Sequence, residues 1–310
     1  MFKKYLPKIY IKLNKIIPFK NYTVLYNIDG RYHLPFATNI HQILFGAIYA
    51  KKNNSNFYFN GTDLINKFSL INNKFNNIFK IFKKRYRFYY FNRPESDYFK
   101  RKDYFNNIEN DFPLKTSEIK YYKANIHYYA KNILFKKLKF YKNIDIDKDT
   151  LVIHVRSGDI FYKDWHSLYV QNPISFYLKI AKDYENIIVV TNEIKNNFIL
   201  KELEKHINFN VYSGTLIDDI NILMNATNLA TSGVSAFPVA CALLSQKLEK
   251  FIYSNIYLDE HLNPEMIDKN IVKKIKYNIT NYIEIGEFTK SKSNLNKILS
   301  TDKNLVEKIN

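Results

Sequence analysis

The sequence predicts an α/β protein whose second half is a doubly wound parallel sheet. From residue 150 onward, short β-branched segments alternate with helical patterns of about ten residues, which is typical of βαβ units. The first half of the 310-residue chain is also far more basic than the second. Apolar residues make up 46% of the chain, which is enough for a substantial core. We therefore expect two folded parts with different partners.

The charge is divided unevenly along the chain. Residues 1–143 hold 28 Lys and Arg against 8 Asp and Glu, and residues 144–310 hold 19 against 21. A strongly basic half could face nucleic acid, anionic lipid or an acidic acceptor. The Asp- and Asn-rich segment 143–149 is the predicted linker. The expected organisation is therefore a basic N-terminal domain over 1–143, a doubly wound domain over 144–268 and a polar helical tail over 269–310.

The first half combines helical patterns with a few short strands. A basic amphipathic helix over residues 2–17 could lie on a membrane surface, or it could pack on its own domain. The other predicted elements are a strand over 23–28 with a turn at 29–31, a helix over 39–50 capped by Thr38 or Asn39, strands over 57–59 and 86–91, and a long helix over 115–141.

The second half follows a regular pattern. Strands are predicted over 151–155, 187–190, 209–212, 228–231 and 251–253, and helices over 175–184, 196–206, 218–225 and 236–245. Each helix connects two strands, so the strands should run parallel and bury both faces of the sheet.

Composition also bears on the compartment. The single cysteine, Cys241, lies in an apolar helical pattern and excludes an internal disulfide, which fits a reducing environment. Lysines interrupt the first 21 residues, so no secretory leader is expected, and no segment approaches the roughly 18 apolar residues of a membrane span. We expect a cytoplasmic protein, with a peripheral position at the inner face of the membrane as the alternative.

The most informative segment is His154-Val155-Arg156-Ser157-Gly158-Asp159, directly after the apolar run of the first C-terminal strand. Open α/β sheets bind ligands at the carboxyl ends of their strands. The fork of donors in a guanidinium suits a phosphate group, because it can pair with two phosphate oxygens. The alternative is that Arg156 bridges to Asp159 in an ordinary turn.

Three further segments should lie at the same edge of the sheet. Hydroxyl groups and the N–H groups at a helix start could hold a phosphate there. The predicted binding residues are His154, Arg156, Thr191, Asn192, Glu193, Asp219, Ser232, Gly233, Val234 and Ser235.

Several other site types lack their sequence patterns. The chain has neither the Gly-x-Gly-x-x-Gly fingerprint of dinucleotide-binding folds nor the P-loop pattern. Its seven histidines do not show zinc-ligand spacing, so no metal site is expected. Ser232 and Ser235 lack the second glycine of a nucleophile elbow, which argues against a hydrolase.

Four blocks, in order along residues 25–245, resemble the fucosyltransferase superfamily, which includes bacterial α-1,2-fucosyltransferases and, more distantly, α-1,6- and protein O-fucosyltransferases. The 154–159 segment is similar to that family's His-x-Arg-Arg-x-Asp block. The others are Asn39-Ile40-His41-Gln42-Ile43-Leu44-Phe45, Asp219-Ile220-Asn221-Ile222-Leu223-Met224 and Thr231-Ser232-Gly233-Val234-Ser235-Ala236-Phe237.

The resemblance implies a GT-B-like fold of two Rossmann-like domains, of which the C-terminal one binds the nucleotide. It also implies an inverting, metal-independent glycosyltransferase that needs no cofactor beyond its nucleotide-sugar donor, with GDP-fucose favoured. Arg156 would contact the donor diphosphate, Asp159 would orient its loop, and Ser232 and Ser235 would hold phosphate or ribose. The acceptor would be a hydroxyl of a glycan or a lipid-linked sugar, and an anionic membrane surface is a further expected partner.

The base that would deprotonate the acceptor is not singled out by the sequence. We take Asp29 as a catalytic candidate beside Arg156 and Asp159, and His33, His41 and Glu193 are the other candidates for the base. The sequence also departs from the family pattern in two of the blocks. Ser157 replaces the second Arg of the His-x-Arg-Arg-x-Asp block, and the Trp-Trp pair that ends the family's last block is absent.

These departures leave the donor open. One alternative is a glycosyltransferase of the same fold with another nucleotide sugar. The other is a nucleic-acid-binding protein that uses the Lys-, Tyr- and Phe-rich segments 79–91 and 121–141. Nucleic acid is not the favoured partner.

Overall fold

The computed structural model describes residues 23–26, 35–52, 56–59, 61–70, 87–89, 111–113, 116–161, 166–259 and 261–309. The chain divides into two units, residues 1–139 and 140–310. The boundary expected from the sequence lay at residues 143 and 144.

The N-terminal unit contains a three-stranded sheet and a long buried helix. Strands β1 (Thr23–Tyr26) and β2 (Asn56–Phe59) pair in parallel, and β3 (Phe68–Leu70) runs antiparallel to β2. Helix α1 (Phe36–Lys52) connects β1 to β2 and begins three residues before the predicted start. Apolar residues on most of its circumference are buried, so it forms the core of this unit. Strand β3 was not predicted.

A second strand pair and a second helix complete the description of this unit. Strands β4 (Arg87–Tyr89) and β5 (Asp111–Pro113) pair in parallel, and β5 was not predicted. Helix α2 (Thr116–Tyr129) continues into a π-helical turn (Ala130–Leu134) and a 3-10 turn (Phe135–Lys137).

The predicted single helix over 115–141 therefore ends early, for a physical reason. The main chain of residues 62–66 forms hydrogen bonds with the main chain at the end of this helical segment. Asn66 N–H donates to the Lys137 carbonyl at 2.7 Å, and Lys139 N–H donates to the Leu64 carbonyl at 3.0 Å. These bonds replace the ones that would continue the helix.

A seven-stranded sheet lies at the centre of residues 140–310. Its strands are β6 (Thr150–His154), β7 (Asn186–Val190), β8 (Asn210–Tyr212), β9 (Asn228–Ala230), β10 (Lys250–Ser254), β11 (Lys273–Ile279) and β12 (Val306–Ile309). They are arranged in the order β12-β11-β10-β9-β6-β7-β8, and all neighbours are parallel except β11 and β12. The prediction of an α/β fold with a mostly parallel sheet is confirmed.

Helices connect most of the parallel strands. They are α3 (Ile174–Ala181), α4 (Phe198–Leu203), α5 (Leu216–Asn225), α6 (Ala236–Leu244) and, before β12, α7 (Lys292–Ile298). A capping box between Thr215 and Asp218 starts α5, and the Asn197 side chain caps α4. The strands and helices predicted between residues 150 and 254 are all present, with small shifts at their ends.

The predicted helical tail over 269–310 is wrong. Only α7 is a helix of more than one turn there, and β11 and β12 join the central sheet. Three lysines, Lys273, Lys274 and Lys276, give β11 the composition of a polar segment, although Lys274 is largely covered and Tyr277 and Ile279 are buried.

The predicted linker is also held in place. Asn221 and Asn225 of α5 accept hydrogen bonds from the main-chain N–H groups of Lys142 and Ile144, and Asn228 donates to the carbonyl of Lys148. Across the described ranges, no helix is both long enough and apolar enough to cross a membrane.

Candidate functional site at the switch point of the sheet

The order of the strands determines where a ligand can enter. Counted along the chain from β6, the six parallel strands lie in the order 3-2-1-4-5-6, which is that of doubly wound nucleotide-binding domains. The direction of winding reverses between β6 and β9, which are adjacent in the sheet. The connections leave their carboxyl ends in opposite directions there, which opens a crevice. His154 ends β6 and Thr231 follows β9, so the main predicted segments meet at this switch point.

His154 is a buried, neutral histidine. Its Nδ1 lies 3.2 Å from the Ser232 hydroxyl, and its ring packs against Phe237 with centroids 5.4 Å apart. Burial, with a smaller effect from the Arg156 charge, lowers the pKa of His154 to about 3. The imidazole therefore acts as a hydrogen-bonding link between β6 and the loop after β9 rather than as a cation.

Arg156 is the cation of the site and is partly exposed. Its guanidinium donates to the Val234 carbonyl at 3.4 Å, and its Cζ lies 4.0 Å from the centre of the Tyr169 ring. Stacking on an aromatic face is favourable for a guanidinium, because the face of the ring carries partial negative charge. Two contacts from different segments therefore hold this group at the carboxyl edge of β6 and β9.

Ser157 connects the loops after β6 and β7. Its buried hydroxyl lies 2.8 Å from Thr191 Oγ1, 3.0 Å from Asn192 Oδ1 and 3.1 Å from the Glu193 carbonyl oxygen. Thr191 in turn accepts a hydrogen bond from the Asn197 side chain at 3.3 Å. A second arginine, as in the family block, would not fit this buried network, so Ser157 is a support for the loop that carries Arg156.

The turn after Ser157 depends on a glycine. Gly158 has a φ of +70°, and a Cβ there would lie 2.8 Å from Asn192 Nδ2. Asp159 belongs to the 3-10 turn Gly158–Ile160. The Asp159 side chain lies outside what the structure describes, so its predicted role in orienting the loop stays a prediction.

The loop after β9 is largely occupied by contacts within the protein. Ser232 is fully buried and bonds to His154, which makes it a support for the histidine. The Val234 N–H donates to the Val170 carbonyl at 2.9 Å. Ser235 occupies the N-cap position of α6 without capping it, and its side chain is 8% exposed. The start of α6 adds positive potential at this edge, because the N–H groups of its first turn have no partners in the helix.

The segment that follows the 154–159 block also crosses this edge; from sequence, residues 169–177 could either shape a sugar or acceptor pocket or serve structural packing. Residues 166–172, here called the strap, run beside the loop after β9 and form an isolated bridge between Gln171 and Gly233. The strap places Tyr169 over Arg156 and the His166 ring 4.6 Å from the Tyr169 ring. Its sequence has no helix or strand periodicity, and the only signal was its position after the 154–159 block.

Asp219 lies at the start of α5, beside α6. It accepts a hydrogen bond from the Gly214 N–H at 3.1 Å. Burial raises the pKa of Asp219 to about 6, partly offset by that hydrogen bond. The charge of Asp219 also reaches Cys241, whose thiol pKa is raised mainly by burial.

The candidates for the base are not brought together by the described contacts. Asp29 and His33 lie outside the described residues. His41 belongs to the N-terminal unit, where its ring stacks on Tyr122 with centroids 5.8 Å apart. Glu193 accepts a hydrogen bond from Asn196 at 2.6 Å, and Asn192 is exposed beside it.

Two comparisons with known proteins give no relative. No protein-family model matches the chain, and no curated protein sequence matches it. Within the described ranges, no group of three or more His, Cys, Asp and Glu side chains is placed to hold a metal ion. The case for a function therefore depends on the geometry of the switch point.

Proposed function

We propose that this protein is a glycosyltransferase whose nucleotide-sugar donor binds at the switch point of residues 140–310. The single observation that carries the proposal is the position of Arg156. A guanidinium held by Val234 and Tyr169 lies at the carboxyl edge of β6 and β9, in a sheet with the strand order of nucleotide-binding domains. The start of α6 lies at the same edge and also favours an anion.

The chemistry assigned to Arg156 follows from the reaction. In glycosyl transfer, the acceptor oxygen bonds to the anomeric carbon while the bond from that carbon to the diphosphate oxygen breaks. The electron pair of the broken bond stays on the leaving diphosphate, which gains negative charge. A fixed cation beside that group stabilises the transition state more than the ground state. Arg156 would supply this stabilisation, and a base would accept the proton of the acceptor hydroxyl.

The finer features of the proposal come from the resemblance to fucosyltransferases. They are an inverting reaction without a metal ion, GDP-fucose as the favoured donor, a glycan or lipid-linked acceptor, and a GT-B-like arrangement in which the N-terminal unit serves the acceptor. The excess of 28 basic over 8 acidic residues before residue 144 supports an acidic glycan or an anionic membrane surface on that side.

A calorimetric panel tests the proposal at its centre. GDP, UDP, CMP and ADP are titrated into the full-length protein and into Arg156→Ala and Arg156→Lys. We expect a nucleoside diphosphate to bind, and Arg156→Ala to weaken that binding by about 10- to 100-fold, the usual value of a charge-assisted hydrogen bond. Arg156→Lys should retain part of the affinity, because it keeps the charge and loses the fork.

A matched control is Lys205→Ala, which removes a cation that is paired with Glu202 on the exposed end of α4. It should leave nucleotide affinity unchanged. Equal affinity of the wild type and Arg156→Ala for every nucleotide in the panel would refute the assignment.

A further inference from the structure

Arg156 is the only arginine of the C-terminal unit. The chain has six arginines, and the other five all precede residue 102. Arg156 is therefore the one residue of this unit that can place a guanidinium beside a ligand. Arginine side chains lose considerable rotamer entropy when they are held, so the groups that hold Arg156 in place matter for any ligand it binds.

The strap is fixed to three separate parts of the sheet. At the loop after β9, Val234 N–H donates to the Val170 carbonyl at 2.9 Å and Asn172 N–H donates to the Ser232 carbonyl at 3.0 Å. At the end of β10, the Ser254 hydroxyl donates to Asn172 Oδ1 at 2.6 Å. After β11, the Tyr282 hydroxyl donates to the Gln171 carbonyl at 2.9 Å.

Burial agrees with this anchoring. Val170, Gln171 and Asn172 are fully buried, whereas Tyr169 lies at the point where the strap emerges and is partly exposed. The Gln171 side-chain amide donates to the Tyr169 carbonyl at 2.9 Å, so the main chain of Tyr169 is held from the buried side. The Tyr169 ring therefore extends over Arg156 from a main chain that is held in place.

Gly233 allows the strap to approach. A Cβ at this position would lie 2.6 Å from the Val170 carbonyl oxygen, and its φ of +100° suits glycine. The Val234 carbonyl holds one edge of the guanidinium while the Tyr169 ring covers one of its faces.

We infer that Tyr169 is a positioning residue for Arg156, and that the strap presets the guanidinium for a diphosphate before any ligand arrives. The ring restricts the guanidinium to one plane and leaves its charge intact, because an aromatic face attracts a cation without accepting its protons. Tyr169 does this through its ring and not its hydroxyl, so phenylalanine should replace it. The inference rests on the proposed function only for the identity of the ligand.

The first experiment needs no ligand. Arginine-selective ¹⁵N labelling of the full chain gives six side-chain Nε–H signals, and the signal that Arg156→Lys removes is that of Arg156. Protons over an aromatic face are shifted upfield, so we expect an upfield position for this signal in the wild type and in Tyr169→Phe. In Tyr169→Leu the signal should lose this upfield shift.

The second experiment measures binding of GDP and of inorganic pyrophosphate to the same variants. Tyr169→Leu should weaken both by about 3- to 10-fold, the value of a cation–π contact, and Tyr169→Phe should stay within about twofold of the wild type. In the Arg156→Ala background, Tyr169→Leu should have no further effect on either ligand.

A matched control separates positioning from stability. Tyr184 lies 5.8 Å from Lys250 Nζ near the amino ends of the strands, at the opposite edge of the sheet. Tyr184→Leu removes a comparable contact and should change neither the Arg156 signal nor the two affinities.

The outcomes distinguish the two proposals. An Arg156 signal that is the same in Tyr169→Leu and the wild type would overturn the positioning role, whatever binds. An equal loss of affinity in the Arg156→Ala background would also overturn it. A signal that moves as expected in a protein that binds neither pyrophosphate nor any of GDP, UDP, CMP and ADP would support the positioning role and contradict the proposed function.

Discussion

Tyrosine rings contact cations at several places in residues 140–310, and two of these places differ in what surrounds the cation. On β10 and β11, Lys274 and Lys276 lie 5.6 and 5.9 Å from the Tyr253 ring centre, and both pair with Glu265, at 2.7 and 3.4 Å. At the switch point, Arg156 lies 4.0 Å from the Tyr169 ring and donates to a main-chain carbonyl.

The first of these places, here called the Glu265 cluster, consists of Glu265 and the four side chains that contact its carboxylate: Tyr253, Tyr257, Lys274 and Lys276. The Tyr253 and Tyr257 hydroxyls both lie 3.2 Å from Glu265 Oε1, and burial followed by the charge of Glu265 raises the pKa of each tyrosine. This cluster lies where a 3-10 turn (Pro264–Met266), not a full helix, follows β10. Its residues therefore complete the covering of the sheet. A tyrosine–cation contact alone therefore does not mark a site, and the Arg156 contact differs from the others in its position at the switch point of the sheet.

Among the variants that test this difference, Gly233→Ala should have the largest effect on stability. It combines a strained φ of +100° with a Cβ 2.6 Å from the Val170 carbonyl oxygen. We expect a loss of about 2–4 kcal/mol in the free energy of unfolding, measured by urea denaturation.

Gly286→Ala is the matched control, because Gly286 has a φ of +110° with nothing within 4 Å of the added Cβ. It should cost only the backbone strain, about 1–2 kcal/mol. If Gly233→Ala costs no more than Gly286→Ala, the strap is not held as closely as described.

The next effect concerns the pH dependence of stability at the switch point. The folded-state pKa of His154 is about 3, far below its ordinary value of about 6.5, so the unfolded chain binds the proton more readily. The contribution of the neutral His154 side chain to the free energy of unfolding is therefore fully present above pH 6.5 and is lost as the pH falls toward 3. Between pH 7 and pH 5, the wild type should lose roughly 2 kcal/mol relative to His154→Gln. Parallel unfolding free energies for the two proteins over that range would contradict the buried, neutral histidine.

The smallest effect is expected at the other cluster. Burial alone would raise the pKa of Glu265, but the hydrogen bond and charge of Lys274, together with Lys276, hold it below its usual range. Glu265→Gln should cost no more than about 1 kcal/mol, because the carboxylate is partly exposed and screened. The loss should be present above the ordinary pKa of Glu and should disappear as the pH falls through the lowered pKa. Nucleotide affinity should not change, and a change would break the distinction between the two clusters.

The sequence predicted much of the C-terminal unit and part of the site. His154 and Arg156 were correctly placed at the end of a buried strand, because a β-branched run that stops at polar residues is a local signal. The strands and helices between residues 150 and 254 followed from the same kind of periodicity. The tail was predicted as helix, because three lysines within seven residues give β11 the composition of a polar segment when the partner strands are unknown.

Two features of the site could not be predicted from local pattern. Ser232 was expected to bind phosphate or ribose, but its side chain is buried against His154, 78 positions away in the chain. The anchoring of the strap could not be predicted, because Val170, Gln171 and Asn172 are held by bonds to residues that lie between 59 and 111 positions later. The roles of these residues depend on contacts between segments that lie far apart in the sequence.

The alternation of strands and helices, and the kinds of side chain at each strand end, follow from local sequence patterns. Both are encoded by neighbouring residues through the periods of 2 and 3.6. Only the tertiary structure decided that β6 lies beside β9, that the winding reverses between them, and that Tyr169 covers Arg156. Strand order depends on hydrogen bonds and packing between distant segments, so it is settled only when the whole sheet forms.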